Sequence, residues 1–560
     1  MAADRGAAEA GSYDVVVVGS GFGGAVTACR LAQAGRSVLI LERGRPWPPG
    51  SFPRTPREVR ADGFWSPPAG LHGLWDLWSF SGLDAVVSSG LGGGSLIYAN
   101  VMLRKDPDTF ADDEHERWPV SYSDLEPHYE TVEAMMGATP YPVEHEPYAS
   151  TPKTRAILEA AYRLGLEASR PNLAVTFAPG DPDDPQRPDP APGLPLPARP
   201  NLHDAPRYTC RLSGECCVGC QYGSKNTLDF TYLSAADQAG ATIRACCEAV
   251  RLAPRDGGGW TLRYRQHLSA KAGHREALLD PTDAPEREVH ATTVVLAAGT
   301  LGSTRLLLAN RAGLPRLSPR LGAGFSSNGD ILMFTRGADR YLDPSFGPTI
   351  TASVRVPDGQ SPSGRGFYVQ DAGAPVATEW LWQGREAPGD LWRLRRAVWK
   401  RLGRRLRGRR DTSLGGVLAE GLGTARESAA MMPLLGMGRD VPDGRMTLNG
   451  ERLELNWSER PSREFFEGLE AAGAAVSEAL GGRMWRPGGR YARLMTVHPL
   501  GGCGMGETPR DGVVDSFGRV FGADGLYVAD GSIMPGPVGA NPSLTIAAMA
   551  ERIAAAIAGP

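Results

Sequence analysis

Tyr13 to Gly44 reads YDVVVVGSGFGGAVTACRLAQAGRSVLILERG, and the order of its parts decides the fold. Val15 to Val18 is a run too apolar to face water and reads as a buried strand. Gly19, Gly21 and Gly24 follow as GxGxxG, with Phe22 among them as a further cofactor candidate, then a helix with small residues, then a second apolar run closed by Glu42. That is one βαβ unit. Each part serves a bound dinucleotide: Gly19 allows the tight turn, Gly21 lets backbone approach a pyrophosphate, and Gly24 brings helix against strand. Glu42, 18 residues beyond Gly24, accepts from a ribose hydroxyl. The unit predicts an adenine-dinucleotide site and leaves NAD and FAD both open.

Working outward, Val289 to Thr304 (VHATTVVLAAGTLGST) reads as a later strand of the same sheet running into a small-residue turn at Ala298 and Gly299, with WTLRYR at Trp260 to Arg265 as a strand before it. Gly525 to Asp530 (GLYVAD) is a further strand ending in an acid, followed by Gly531, and Pro542 to Ile557 has a helical pattern. Asn541 and Pro542 suit a helix cap and first position, so that helix can direct its positive end at a ligand. The nucleotide domain is therefore expected to be discontinuous, built from 10–110, 205–320 and 485–560. Segments 111–204 and 321–484 are left for a substrate domain. Pro179 to Pro206 holds ten prolines in 28 residues and reads as a long loop.

A net charge of −3, from 60 Lys and Arg against 63 Asp and Glu, argues against nucleic acid as a partner. Gly and Pro make about a fifth of the 560 residues, short of low-complexity disorder, and 41% of the chain is hydrophobic. The N-terminal stretch carries Asp4, Arg5 and Glu9 with no apolar signal region, and no apolar run approaches the roughly 18 residues of a membrane span. A cytoplasmic, reducing location is the expectation. Leu391 to Asp411 carries ten Lys or Arg with Leu391, Leu394, Val398, Leu402 and Leu406 at three- and four-residue steps. Such a basic amphipathic helix either is a solvated surface helix or lies on an anionic membrane surface.

A second glycine-rich turn, GLGGGSLIYAN at Gly90 to Asn100, contributes Gly92, Gly93, Gly94, Ser95 and Asn100 as cofactor candidates, since backbone without side chains can approach a flat ring. With GSGFGG at Gly19 to Gly24, CCVGCQYGSKNTLDFTYL at Cys216 to Leu233, VLAAGTLGST at Val295 to Thr304, HPLGGCGMG at His498 to Gly506 and GLYVADGSIMPGPVGANPSLTIAAMAER at Gly525 to Arg552, the chain resembles the glucose-methanol-choline (GMC) oxidoreductase family along its whole length, most of all its bacterial cholesterol oxidase branch. The resemblance implies an α/β fold: a Rossmann-like FAD-binding domain with a discontinuous α+β substrate domain. It implies FAD rather than NAD, held without a covalent link, since no histidine stands in the Gly90 to Asn100 loop.

It also implies roles for two residues. His498 and Asn541 match the family's histidine and its NPxxT asparagine, which flank the substrate hydroxyl. An imidazole suits removal of an alcohol proton near neutral pH while hydride leaves for a flavin, and an amide can orient the hydroxyl without competing for that proton. Cholesterol oxidases use a glutamate for double-bond isomerisation, with Glu420 and Glu427 as rival matches here. Cys210, Cys216, Cys217 and Cys220, four of the chain's eight cysteines, fall within eleven residues. They are candidate iron-sulfur ligands, a set of reduced thiols, or a redox disulfide. The expected activity is FAD-dependent oxidation of a hydrophobic secondary alcohol, a sterol or steroid 3-hydroxyl in first place, with O2 as acceptor. The alternatives are a dehydrogenase of another alcohol, sugar or polyol using a cluster or external acceptor, and a degenerate flavoprotein that binds lipid.

Overall fold

The computed structural model describes residues 11–111, 113–180, 184, 186–269, 277–278, 285–374, 430–486 and 493–559. Leu391 to Asp411, Glu420 and Glu427 lie outside the described residues.

The opening motif folds as β1 (Ser12–Val18), α1 (Phe22–Gln33) and β2 (Val38–Leu41), with β1 and β2 parallel and in register from Val15 opposite Val38 to Val18 opposite Leu41. β3 (Thr242–Arg244) extends the sheet beyond β2, also parallel. On the other side of β1 lies the long strand β6 (Glu286–Leu296), and an antiparallel pair, β4 (Cys247–Pro254) and β5 (Trp260–Gln266), continues from the first half of β6. Its second half pairs instead with β7 (Leu526–Val528), parallel, at Val294 to Leu296. β6 thus has a different neighbour for each half of its length.

Val15 to Val18 of β1 and all of β2 are buried on both faces, as a parallel sheet covered by helices requires. α1 packs between this sheet and α3 (Ser543–Ala558), while α2 (Gly299–Ala309) follows β6 through the Ala297–Ala298 turn. The α1·α3 contact is closed at its rim by Arg30, whose Nε lies 2.7 Å from Glu551 Oε2. Tyr232 Oη donates to the same carboxylate at 2.7 Å. Gly23 is where α1 comes closest to the C-terminal segment: a Cβ there would stand 1.6 Å from the Ala529 carbonyl oxygen.

A second, antiparallel sheet runs in the order Arg483–Trp485, Ile331–Arg336, Met432–Gly438, Phe367–Asp371, Ser353–Val356, Glu167–Ser169. Side chains alternate across it. Ile331, Met333, Leu434, Phe367 and Val369 share a core with Phe465, Leu469 and Val476 of the helix Arg463–Ala479 and with Ile157 of Pro152–Leu164. The opposite parity, Leu332, Phe334, Pro433 and Leu435, faces a cavity against the nucleotide sheet. Helices on one face and a cavity on the other make this an α+β layer.

The helix Tyr122–Met135 falls in the 111–204 stretch expected to belong to the substrate domain, yet it buries Leu125, Tyr129 and Val132 in the core of the nucleotide sheet. Tyr129 Oη lies 3.1 Å from Thr545 Oγ1 of α3, so its partner is the C-terminal helix. Within the proline-rich stretch the described residues form no helix or strand; Pro195 makes one isolated bridge to Tyr208.

Candidate active site

A cavity of about 580 Å³ runs between the two sheets. Its first end is walled by the nucleotide unit: Gly19, Gly21, Phe22 and Glu42 from the βαβ turn, Gly93 and Gly94 from the second glycine loop, Ala298 and Gly299 at the start of α2, and Asp530 and Gly531 after β7. Its second end is walled by the apolar face of the antiparallel sheet. His498, Asn541 and Pro542 line the same cavity.

Four expected cofactor residues stand behind this wall. Gly24 carries a hydrogen where a Cβ would lie 2.0 Å from the Gly19 carbonyl oxygen, so its work is packing. Gly92, with φ of +110°, and Ser95 shape the loop: Ser95 Oγ donates to the Gly92 carbonyl and accepts from Leu228 N–H. Asn100 sits between the lining residues Ala99 and Val101 with φ of +69°, and both polar atoms of its buried amide lack partners.

The two acids of the nucleotide end are engaged within the chain. Glu42 Oε2 accepts from Ser20 N–H (3.0 Å) and Ser20 Oγ (2.7 Å), and Oε1 accepts from Gly44 N–H (2.8 Å). Burial pushes its pKa up, and the bonds from Gly44 and Ser20 oppose that rise. Asp530 accepts from Gly299 N–H, Ser303 Oγ, Ser532 N–H and Ser532 Oγ, and so ties α2 to the end of β7. Its pKa is likewise raised, by burial first.

His498 enters from the strand Leu494–Thr496 through Val497. Its Nδ1 is 2.8 Å from Asp330 Oδ1. Asp330 precedes the strand Ile331–Arg336 and is 1% exposed, and its second oxygen accepts from Thr496 Oγ1, Val497 N–H and His498 N–H at 3.0, 2.8 and 3.1 Å. The cap expected of Asn541 is absent: α3 starts at Ser543, Pro542 holds the cap position without a side-chain bond, and Asn541 Oδ1 accepts from Gln370 Nε2 at 2.9 Å. Gln370, on Phe367–Asp371, is fully buried. Sequence reasoning missed Asp330 and Gln370. The signal for Asp330 is its place in SSNGD, where Asn328 and Gly329 both take positive φ just before an apolar strand.

The four cysteines do not converge as ligands: among the described residues no group of three or more His, Cys, Asp or Glu side chains could hold a metal ion. Cys217 lines the cavity, while Cys210 is buried and its thiol is pushed up by burial and then by neighbouring Cys216, which keeps it neutral. The buried ammonium beside them, Lys225, donates to the carbonyls of Leu96 (3.0 Å) and Cys216 (2.8 Å), and burial lowers it to about 8.

The nucleotide end fits a long, flat cofactor. A methyl added at Gly21, Gly94 or Gly299 would meet nothing within 4 Å, so backbone there faces open space, and the unpartnered Asn100 amide lies beside it.

Comparison with known proteins places the chain in a family. Residues 442–550 match the family model described as GMC oxidoreductase, and 17–50 match an NAD(P)-binding Rossmann-like domain. A cholesterol oxidase of Mycobacterium tuberculosis (strain ATCC 25618 / H37Rv) is 30% identical over 97% of this chain and 90% of its own length. One from Acinetobacter baumannii is 27% identical over 96% and 93%. The crystal structure of pyridoxine 4-oxidase from Mesorbium loti superposes with a TM-score of 0.58 at 18% identity, covering 97% of this chain and 98% of the other. The chain therefore belongs to the GMC oxidoreductase family, on its cholesterol oxidase-like side, and is an FAD-dependent alcohol oxidoreductase.

Proposed function

We propose that the protein oxidises a hydrophobic secondary alcohol, with a sterol or steroid 3-hydroxyl as the favoured substrate, to the ketone, and that O2 is the final electron acceptor. The observation that carries this is the placing of His498 and Asn541 in one cavity whose first end is glycine-lined and whose second end is apolar. When bound, FAD supplies the hydride acceptor. Gly21, Gly93, Gly94 and Gly299 would hold it, with Glu42 and Asp530 shaping the turns around it.

The chain's own residues supply the proton chemistry. His498 takes the alcohol proton at Nε2, the nitrogen not turned to Asp330. Asn541 has its oxygen occupied by Gln370 and offers its N–H edge to the alcohol oxygen. Leu332, Phe334, Ile350 and Leu435 exclude water and suit a substrate with few polar groups. The similarity to two cholesterol oxidases supports the same substrate class. Contact of the basic stretch 391–411 with anionic lipid belongs to this reading, and its mark would be vesicle binding that weakens with salt.

The test is anaerobic mixing of the yellow protein with sterols, sugars and aliphatic alcohols, followed by air. Bleaching by sterols with recovery of colour and release of peroxide is expected. Bleaching by sugars alone would overturn the substrate class, and colour that air does not restore would overturn the acceptor.

A further inference from the structure

Asp330 is a buried carboxylate that does not itself line the cofactor cavity. Among the described residues its ion-pair partner within 4 Å is His498. A carboxylate taken out of water is costly unless its oxygens are satisfied, and here they are satisfied in an asymmetric way. Oδ2 receives the backbone N–H of Val497 and that of His498, which it shares with Thr496 Oγ1, and lies 3.0 Å from the Thr496 hydroxyl, which is equally near the Ser327 carbonyl. Oδ1 is left for His498 Nδ1. Backbone N–H groups can only donate, so the Oδ2 position must be held by an acceptor. A carboxylate oxygen facing Nδ1 requires Nδ1 to carry a proton, which in the neutral ring leaves Nε2 as a lone-pair acceptor.

We propose that Asp330 is the positioning residue that sets the tautomer of His498, holding the proton on Nδ1 so that Nε2 is free to take a proton from the substrate alcohol. This inference rests on the alcohol-oxidation reading given above. When Nε2 accepts the alcohol proton, the ring becomes an imidazolium next to a buried carboxylate, and the two opposite charges stabilise each other where little water can screen them. Asp330 takes no proton itself. The arrangement also joins the domains: Asp330 leads into the antiparallel sheet, whereas His498 comes from the C-terminal segment that returns to the nucleotide sheet. Closing the two layers correctly and orienting the base are then one event.

The geometry makes Asp330→Asn an incisive variant. The two backbone donors pin its amide oxygen at the Oδ2 place, which turns its NH2 group towards Nδ1. A donor facing Nδ1 forces the ring proton onto Nε2 and removes the base, although the side chain's size is unchanged. Loss of a histidine's tautomer in this way costs on the order of 10²–10⁴-fold in the chemical step.

The experiment uses the FAD-loaded full chain with ¹⁵N-labelled histidine, the His498 signals being those absent from a His498→Gln sample. The parent is expected to show a protonated Nδ1 and an unprotonated Nε2. In Asp330→Asn the two should exchange, with flavin content retained and anaerobic flavin reduction slowed by about 10²–10⁴-fold. A parent ring protonated on Nε2 overturns the proposal, and this result needs no variant to fold. An unchanged tautomer in Asp330→Asn overturns it too, whatever the rate. If the tautomer exchanges while reduction keeps its speed, Asp330's hold on the ring stands and the reading of His498 as the base falls.

Discussion

At Asn541 the amide oxygen is already spent on Gln370, so only half of the side chain is offered to a ligand. That division depends on Gln370 staying put, and Gln370 also reaches Ser353 Oγ at 3.3 Å from the same nitrogen. Gln370→Leu should free the Asn541 amide to rotate and slow flavin reduction by about 10- to 100-fold, the scale of a misoriented partner. Stopped-flow reduction with a proven substrate checks it, and an unaltered rate would return Gln370 to a packing role. His498→Ala should cost about 100-fold or more with flavin still bound; full activity in that variant would remove His498 from the chemistry. His498 and Asn541 were legible in the sequence because they sit in short local motifs. Their partners were not, since Asp330 and Gln370 lie 168 and 171 residues away along the chain and meet them only once two sheets have packed.

The turn into α1 gives two glycines opposite duties that GxGxxG spacing cannot separate. Gly21 looks onto open space, whereas Gly23, outside the three motif positions, is pressed on the Ala529 carbonyl. Gly21→Ala should fold with an unchanged melting temperature in the apoprotein and lose flavin affinity, because the methyl enters the cradle. Gly23→Ala should fail earlier, as insoluble or strongly destabilised protein, since backbone must move to admit it. Thermal melts and flavin content of the two variants check the contrast, and a stable, flavin-replete Gly23→Ala would contradict the packing argument. The βαβ unit was readable because its apolar runs and glycines are contiguous. The antiparallel sheet was not, because its strands are brought together from residues 167 to 485 and their pairing leaves no local mark.

Across the molecule, acid should weaken the fold at its hairpin Trp65–Ser66/Leu71–His72. His72 packs edge-on to Trp65, its ring 5.3 Å from that of His267, and neither of its nitrogens has a hydrogen-bond partner. Burial, then repulsion from His267, lowers its pKa from 6.5 to about 4. Between those values the unfolded chain binds the proton that the folded chain refuses, so stability falls as pH drops from 6.5 towards 4. Urea midpoints measured over that range should fall less in His72→Phe than in the parent; parallel curves would show that His72 does not titrate this way. The expected discontinuity of the nucleotide sheet came from recognising apolar strands far apart, whereas the placing of Tyr122–Met135 on α3 required the tertiary contact itself.

That discontinuity has a consequence during synthesis. β1 is translated long before α3, and the cavity is lined by Val18 from the one and Ile546 from the other. At about 5–20 residues per second, a ribosome takes roughly half a minute to two minutes to span them. Through that interval the nascent chain can hold no nucleotide, and the second half of β6 has no β7 beside it. An apolar strand edge left open this long invites pairing with other chains. Yield in a heterologous host should therefore depend more on chaperone supply during translation than on flavin supply.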